Sequence, residues 1–422
     1  MNEDLNKPAS SGKTVLGILI GVLIGVIVTG IICVPTIITL KKVATAAASG
    51  TQTSSYASDS GGEAHVLDEE ALAKLSKLFS YVDQLFLYDY DAEAVNEALY
   101  KAAIAALDDP YTAYYTAKEY AALMESATGQ YSGLGAIVSQ YADTGEVVIL
   151  RCYSDSPAEK AGLEPGDIIL EADGVEITGT DLDETVATLF RGEAGTTVNL
   201  KIYRESTDET FEVTVTRAVV DVDTVWYTLL DNNIGYIEVV SFDSVTTDQF
   251  SEAYDDLVSQ GMKGLIIDLR NNGGGLVNVT TDMLDELLPE GVLVYTMDAK
   301  GNRMDYNSDE AAKLDIPCAV LVNENTASAS EIFAGAMQDY DAAEIIGAQT
   351  FGKGVVQVTI PLADGSGLKL TIQNYYTPNG NNIHGIGITP DQVVEFDEEA
   401  YTTDGTDTQL DAAIEYLTKV MQ

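Results

Sequence analysis

Two clusters of small and polar residues in the last third of the chain have the composition of a nucleophilic site. The first, Asn-Glu-Asn-Thr-Ala-Ser-Ala-Ser-Glu at residues 323–331, follows a predicted buried strand at 319–322 and precedes an apolar helical run. Reactive groups gather at the carboxyl ends of strands in α/β proteins, so a serine here is well placed to act as a nucleophile. The same pattern also fits a helix N-terminus, with Ser328 or Ser330 as the cap and Glu331 completing a capping box. This cluster alone does not separate the two interpretations.

The second cluster, Thr-Phe-Gly-Lys-Gly-Val-Val-Gln at residues 350–357, offers a base. The chain has only two histidines, His65 and His384, so a Ser-His-Asp triad would depend on His384, which lies in a Gly- and Asn-rich loop. A lysine can replace histidine only when it is neutral, and the glycines and valines around Lys353 predict a tight, dry position that disfavours its charge. Gln357 is predicted on the same face, where its amide could orient the amine. The pattern favours a Ser-Lys pair.

A glycine-rich turn at residues 272–275 follows a predicted buried strand at 264–268. Such a turn can bring an unobstructed backbone N–H to a developing oxyanion. A phosphate-binding loop is the alternative, but neither GxGxxG nor GxxxxGK[ST] is present there. Arg270, just before the turn, is predicted to be a structural partner for a carboxylate.

A third group of glycines lies near the middle of the chain. It consists of Gly133, Leu134, Gly135 and Ala136, followed by a strand-like Ile-Val pair. Glycines there allow successive N–H groups to face one anion, and the adjacent strand edge can pair with an extended peptide. With the turn motifs that follow, residues 131–217 resemble a PDZ domain and its carboxylate-binding loop. A small β domain used only as a spacer is the alternative.

The clusters together resemble the carboxyl-terminal processing protease family. The motifs that carry this resemblance are Asp-Leu-Arg-Asn-Asn-Gly-Gly-Gly at 268–275, Thr-Ala-Ser-Ala-Ser-Glu-Ile at 326–332, the run at 350–357, and the late loops at 377–380 and 384–391. They occur in the family's order, and the resemblance extends over residues 66–422.

The resemblance implies a role for each site residue. Ser328, rather than Ser330, falls on the nucleophile, Lys353 on the general base and Gln357 on the residue that orients the lysine. The oxyanion donors fall on the backbone N–H groups of Ala329 and Gly274. No metal and no organic cofactor is expected.

The implied activity is endoproteolysis near the C-termini of exported or unfolded proteins, whose free carboxylates the PDZ loop would hold. Two other functions stay open at this point. One is a catalytically silent PDZ scaffold, and the other is a Ser-Lys peptidase that acts on cell-wall peptides.

The overall composition sets outer limits on function. A chain of 422 residues is expected to form two or three folded units. With 22 Lys and Arg against 67 Asp and Glu, the formal charge is -45, so no nucleic-acid partner is expected. The cysteines, at positions 33, 152 and 318, form no CxxC pair and are predicted to be small core residues.

The N-terminus predicts a membrane anchor. Residues 15–40 are uncharged and apolar, and as a helix they would span more than the ~30 Å hydrocarbon core of a bilayer. A cleaved signal peptide is the alternative, although its apolar core would be shorter. We expect a single-pass protein of the cytoplasmic membrane, with residues 1–14 in the cytoplasm and the catalytic part outside.

The predicted fold is multidomain α+β. After a flexible tether at 41–65 come an N-terminal helical region at 66–128, a PDZ domain at 129–220, and an α/β Ser-Lys protease core with a C-terminal helix at 221–422. The helical region contains two predicted amphipathic helices. They resemble a dimerisation arm, so a homodimer is a further expectation.

Overall fold

The computed structural model describes residues 67–309 and 312–422. The predicted cytoplasmic segment 1–14, the predicted span 15–40 and the predicted tether 41–65 all lie outside these residues. Within the described part of the chain, no helix combines the length and the apolar character needed to cross a bilayer.

The described chain begins with the two predicted amphipathic helices, α1 (Glu69–Leu85) and α2 (Ala92–Ala105). Asp68 and Asp91 cap their N-termini by accepting backbone N–H groups. Neither helix buries a residue completely, and α1 leaves large apolar side chains exposed, among them Leu72, Leu78, Tyr81 and Leu85. The first two helices therefore present an apolar face that the described residues do not cover.

A short segment joins these helices to the PDZ domain. It contains β1 (Ala113–Tyr115) and α3 (Ala117–Thr128), which begins with a Thr116–Glu119 capping box and ends at Gly129 in the left-handed conformation. Strand β1 does not pair with a neighbour in sequence. It pairs instead with a strand near the end of the chain, described below, which brings this segment to the protease core.

The predicted PDZ domain is a sheet of short strands packed on small helices. Its elements are β2 (Gln130–Gly133), β3 (Ala136–Gln140), β4 (Val147–Cys152), α4 (Pro157–Lys160), β5 (Ile168–Ala172), β6 (Val175–Glu176), α5 (Leu182–Thr185), a π-helical turn (Val186–Phe190), β7 (Thr197–Arg204), β8 (Glu209–Thr216) and β9 (Ala218–Asp221). The sheet order is β3-β4-β5-β7-β8, so β3 is an edge strand. Because β2 and β9 pair antiparallel, the chain enters and leaves the domain side by side.

The predicted protease core is built on a mainly parallel sheet of order β10-β11-β12-β15-β16-β19. Its strands are β10 (Val225–Leu230), β11 (Ile234–Val239), β12 (Gly264–Asp268), β15 (Cys318–Val322), β16 (Glu344–Gly347) and β19 (Gln392–Val393), and only β10 runs antiparallel to its neighbour. All residues of β12 and β15 are buried, as expected when helices cover both faces.

Helices cover both faces of this sheet. On one face lie α6 (Thr246–Ser259), α7 (Val277–Leu287) and α8 (Ala329–Asp339). On the other face lies the predicted C-terminal helix, α10 (Thr408–Val420), which follows a short helix, α9 (Glu398–Asp404).

A second, antiparallel sheet completes the core, and the strand-helix rhythm of the sequence did not predict it. Its strands are β1, β13 (Gly291–Asp298), β14 (Arg303–Ser308), β17 (Val355–Pro361) and β18 (Gly367–Tyr376). β18 pairs with β1, β13 and β17. The two chemical clusters therefore lie on different sheets, the serines after β15 and the lysine just before β17.

Candidate active site

Ser328 occupies a strained turn between β15 and α8. Its φ is 58° and its ψ is -117°, a backbone conformation that costs about 1–3 kcal/mol for a residue other than glycine. Gly274 packs directly against the turn, and a Cβ there would come within 2.7 Å of the Ala327 carbonyl oxygen and 2.9 Å of the Ser328 Cβ. The fold thus holds Ser328 in a conformation that an unconstrained serine avoids.

Ser330 has a different environment. It is fully buried in the first turn of α8, and its hydroxyl donates to the Asn272 carbonyl at 3.0 Å. That proton is already used in a structural contact, which fits a supporting role for Ser330. The preference for Ser328 as the nucleophile remains a prediction.

The Glu331 carboxylate connects the serine turn to the lysine loop. Its Oε2 accepts the backbone N–H groups of Ser328 and Lys353, both at 2.8 Å. Its Oε1 accepts the Thr350 hydroxyl at 2.6 Å and the Gly352 N–H at 2.7 Å. Because one oxygen binds both Ser328 and Lys353, their backbone nitrogens cannot be further apart than twice 2.8 Å.

All four partners of Glu331 donate to it, which favours its ionised form. The Thr350 hydroxyl accepts the Ile388 N–H at 2.6 Å, so its own proton points to Glu331. Burial raises the pKa of Glu331, whereas these hydrogen bonds act in the opposite direction. The sequence suggested a capping role for Glu331, and the structure adds the link to the second motif.

Lys353 is in the dry position that its neighbours in sequence predict. The side chain is 3% exposed, and its amine has no hydrogen-bond partner among the described residues. Burial, followed by the positive charge of Lys369, lowers the pKa of Lys353 to about 7, while Glu331 and Asp109 act in the opposite direction. A large share of the amine is therefore neutral near pH 7 and able to accept a proton.

Gln357 lies on β17 and is almost completely buried. Its amide nitrogen makes a long contact of 3.4 Å to the Thr371 hydroxyl, and its Oε1 has no partner in the described chain. The expected hydrogen bond between Gln357 and Lys353 is thus not made in this conformation. The Gln357 Oε1 and the Lys353 amine are therefore a buried acceptor and a buried donor without partners, and they remain available for a hydrogen bond to each other.

The two expected oxyanion donors differ. The Ala329 N–H, at the start of α8, has no hydrogen-bond partner within the described residues. The Gly274 N–H donates to the Asn272 side-chain oxygen at 2.8 Å, and the Asn272 amide group in turn donates to the Val239 carbonyl at 2.7 Å. In this conformation, one of the two donors is free.

His384 does not form the alternative triad. Its ring meets the Tyr111 ring at 6.3 Å and 65°, and no hydrogen bond within the described residues joins its imidazole to a serine or a carboxylate. Its backbone lies against Gly354, where a Cβ would come within 2.5 Å of the His384 nitrogen. Packing around the lysine loop is the role these contacts support.

Arg270 has the structural role that the sequence predicts. It forms ion pairs with Asp268 at 2.6 Å and with Asp407 at 2.9 Å. Asp407 caps α10, so the pair fastens the C-terminal helix to the end of β12.

Residues 133–136 form the turn between β2 and β3, and their role in binding a carboxylate stays a prediction. Gly133 ends β2, Gly135 has a φ of 76°, and Ala136 begins the edge strand β3. Leu134 points into the PDZ core. The Tyr131 ring packs beside the loop, where a Cβ on Gly133 would come within 3.0 Å of it, and burial raises the pKa of the Tyr131 hydroxyl.

Sequence reasoning missed two residues that lie beside Lys353. Tyr111 places its ring 5.0 Å from the Lys353 amine, and Lys369 supplies the nearby positive charge. Both arrive through the second sheet, in which β1 pairs with β18 and β18 with β17. No local pattern in the sequence could have indicated this approach.

Comparison with known proteins identifies the families to which two parts of the chain are similar. Residues 233–394 match peptidase family S41, and residues 131–215 match the PDZ domain family. A carboxyl-terminal-processing protease of Synechocystis sp. is 39% identical over 321 residues, which is 75% of this chain and 75% of that protein. The carboxy-terminal processing protease CtpA of Bacillus subtilis is 34% identical over 328 residues, which is 78% of this chain and 70% of that protein.

A solved structure of a photosystem II D1 C-terminal processing protease aligns with 81% of this chain and 90% of its own. The sequence identity is 32% and the TM-score is 0.46. Given the extent and identity of the sequence matches, the chain belongs to peptidase family S41 and is a serine-type peptidase of the carboxyl-terminal processing group.

Proposed function

We propose that this protein is a membrane-anchored endopeptidase that cleaves exported or unfolded proteins near their C-termini with a dyad of Ser328 and Lys353. One observation carries most of the argument. The Lys353 amine is buried and unpaired among the described residues, and its loop shares the Glu331 carboxylate with the Ser328 turn. Burying a lysine without an ion-pair partner costs free energy of folding. A catalytic role that requires a neutral amine explains why the protein has such a lysine.

The proposed reaction is acyl transfer in two steps. Neutral Lys353 accepts the proton of the Ser328 hydroxyl as the serine oxygen attacks the peptide carbonyl carbon. The lysine ammonium then gives the proton to the departing amine, which leaves an acyl-enzyme that water hydrolyses. Gln357 would orient the amine through its free Oε1.

The negative charge on the carbonyl oxygen requires hydrogen-bond donors during both steps. The Ala329 N–H is available for this, and the Gly274 N–H becomes available if it leaves the Asn272 side chain. One such donor is worth about 3–4 kcal/mol of transition-state stabilisation, so full activity is expected to need both. Substrate binding is the step that would supply the second donor.

The PDZ domain would hold the C-terminus of the substrate. The edge of β3 can pair with an extended peptide, and the N–H groups of the loop 133–136 can hold its carboxylate.

The N-terminus would fix the location of the enzyme. The uncharged apolar segment 15–40 supports a single-pass anchor in the cytoplasmic membrane, and exported substrates require a catalytic domain on the outer side. The exposed apolar face of α1 and α2 supports a homodimer through these helices.

The test is digestion of an unfolded protein by the full-length chain in detergent micelles, with the fragments identified by mass spectrometry. Ser328→Ala should abolish cleavage, whereas Ser330→Ala should keep measurable activity because its hydroxyl only supports the turn. Cleavage by Ser328→Ala at the parent rate would reject the dyad. Cleavage of cell-wall stem peptides in place of protein would reject the substrate class and leave the chemistry intact.

A further inference from the structure

We propose that Tyr111 is a positioning residue of the reaction, because its ring is the cover that keeps water away from the Lys353 amine. Tyr111 lies outside both regions that match known families, residues 131–215 and 233–394. This inference rests on the proposed role of Lys353 as the base. According to this proposal, the segment before the PDZ domain helps to keep the Lys353 amine neutral.

The position of the ring is the first argument. The Lys353 nitrogen lies 5.0 Å from the centroid of the Tyr111 ring. The amine has almost no accessible surface, whereas Tyr111 is half-buried. One part of the tyrosine therefore faces solvent while its ring packs over the amine, as a cover must.

The anchoring of the backbone that carries Tyr111 is the second argument. Asp109 accepts the Tyr111 N–H at 3.1 Å and the Thr112 hydroxyl at 2.6 Å. The Thr112 oxygen also accepts the Thr371 N–H of β18 at 3.1 Å. The His384 ring meets the Tyr111 ring edge-on. The backbone next to Tyr111 is thus hydrogen-bonded to β18, and the Tyr111 ring packs against His384.

The charged groups around the amine show how strongly the exclusion of water must lower the pKa of Lys353. Burial is the main cause that lowers the pKa of Lys353, and Lys369 on β18 adds to it. Glu331 on α8 and Asp109 beside Tyr111 favour the charged form. His384 packs its ring on Tyr111, and the buried hydroxyl of Tyr375 on β18 also lies close enough to interact with Tyr111. Exclusion of water must therefore outweigh two nearby carboxylates.

A tyrosine ring has two opposite effects on a lysine. Its face attracts the ammonium, which by itself would raise the pKa, whereas its bulk excludes water, which lowers the pKa. The two effects predict opposite results when the ring is removed. The sign of the change in pKa therefore decides between them.

The experiment follows the ionisation of Lys353 in two independent ways. The pH dependence of kcat/KM on an unfolded protein gives the ionisation of the free enzyme. Competitive acetylation with trace acetic anhydride, read by mass spectrometry in a Ser328→Ala background, gives the ionisation of Lys353 without any need for activity. The variants are compared by the pH at the midpoint of the Lys353 ionisation. Absolute acetylation rates are not compared, because removal of the ring also makes the amine more accessible to the reagent.

Tyr111→Ala is expected to raise the midpoint by about 1 unit or more, toward the ordinary lysine value near ~10.4. A rise of one unit from about 7 lowers the neutral fraction at pH 7 by about fivefold. Tyr111→Phe keeps the ring and should leave the midpoint unchanged, and Tyr111→Leu should fall between the two. Tyr227→Ala, which removes an exposed tyrosine from β10, serves as the control and should change nothing.

An unchanged or lowered midpoint in both Tyr111→Ala and Tyr111→Leu would overturn the role of Tyr111. An equal rise in Tyr111→Phe would also overturn it, because the hydroxyl and not the ring would then be responsible. If acetylation gives Lys353 an ordinary lysine midpoint in the parent background, the proposed dyad itself fails. The two failures are therefore distinguishable.

Discussion

Glu331→Gln is the substitution for which the structure makes the most quantitative prediction. Glutamine keeps one acceptor oxygen and replaces the other with an NH₂ donor. If the NH₂ group replaces Oε2, the N–H groups of Ser328 and Lys353 lose their acceptor; if it replaces Oε1, Thr350 and Gly352 lose theirs. Two hydrogen bonds to a charged group are lost in either case. We expect the free energy of unfolding to fall by about 3–6 kcal/mol, at about 1.5–3 kcal/mol each.

The same substitution should remove most of the proteolytic activity, because the serine turn and the lysine loop lose the group that joins them. Unfolding in urea can be followed by the fluorescence of Trp226, the single tryptophan, which lies on β10 of the protease core. Glu415→Gln, an exposed position on α10, is the matched control and should change neither quantity appreciably.

A double-mutant cycle with Thr350→Val separates the two sides of the carboxylate. Thr350→Val alone removes one donor, so it should cost less than Glu331→Gln. If the glutamine NH₂ group replaces Oε1, both substitutions remove the Thr350 bond and their effects should not add; if it replaces Oε2, they remove different bonds and the effects should be closer to additive. If Glu331→Gln unfolds within about 1 kcal/mol of the parent and cleaves at the parent rate, the carboxylate does not hold the site together.

The remaining predictions concern charge. Activity should rise with pH through a midpoint near about 7, because only neutral Lys353 accepts a proton; Lys353→Arg should be inactive, and His384→Ala should keep the midpoint. Activity in Lys353→Arg would contradict the dyad. Burial raises the pKa of Asp243 to about 6, so the folded state binds a proton that the unfolded state releases from about pH 4 upward. The protein therefore loses stability as pH rises from about 4 to about 6, and Asp243→Asn should be more stable by up to about 3 kcal/mol at pH 7, with little gain at pH 4. Urea unfolding at both pH values is the measurement, and equal effects at the two would contradict the assignment. Peptides with an amidated C-terminus should bind the full-length Ser328→Ala protein more weakly than free acids do, as measured by calorimetry, and equal affinity would remove the carboxylate-reading role.

The sequence by itself determined the features that depend on local chemistry. The apolar period predicts α1 and α2, and the capping pattern, with Ser328 or Ser330 as the cap, predicts that α8 begins near Ala329. The glycines around residues 133–136 predict a turn before β3. The scarcity of histidine directs attention to Lys353 as the base. Each of these features lies in a few consecutive residues, so no knowledge of distant contacts is needed.

Only the tertiary structure decided how the clusters meet. Lys353 and Ser328 belong to loops of different sheets, and the Glu331 carboxylate that joins them looks in sequence like an ordinary helix cap. Only the structure also shows that the Gly274 N–H donates to the Asn272 side-chain oxygen, which the local sequence does not predict.

The surroundings of Lys353 could likewise not be predicted from the sequence. Tyr111 and Lys369 reach Lys353 because β1 pairs with β18 across most of the folded chain. Motifs name the groups that can react, whereas the exclusion of water that keeps a lysine neutral near pH 7 comes from side chains that only folding brings together.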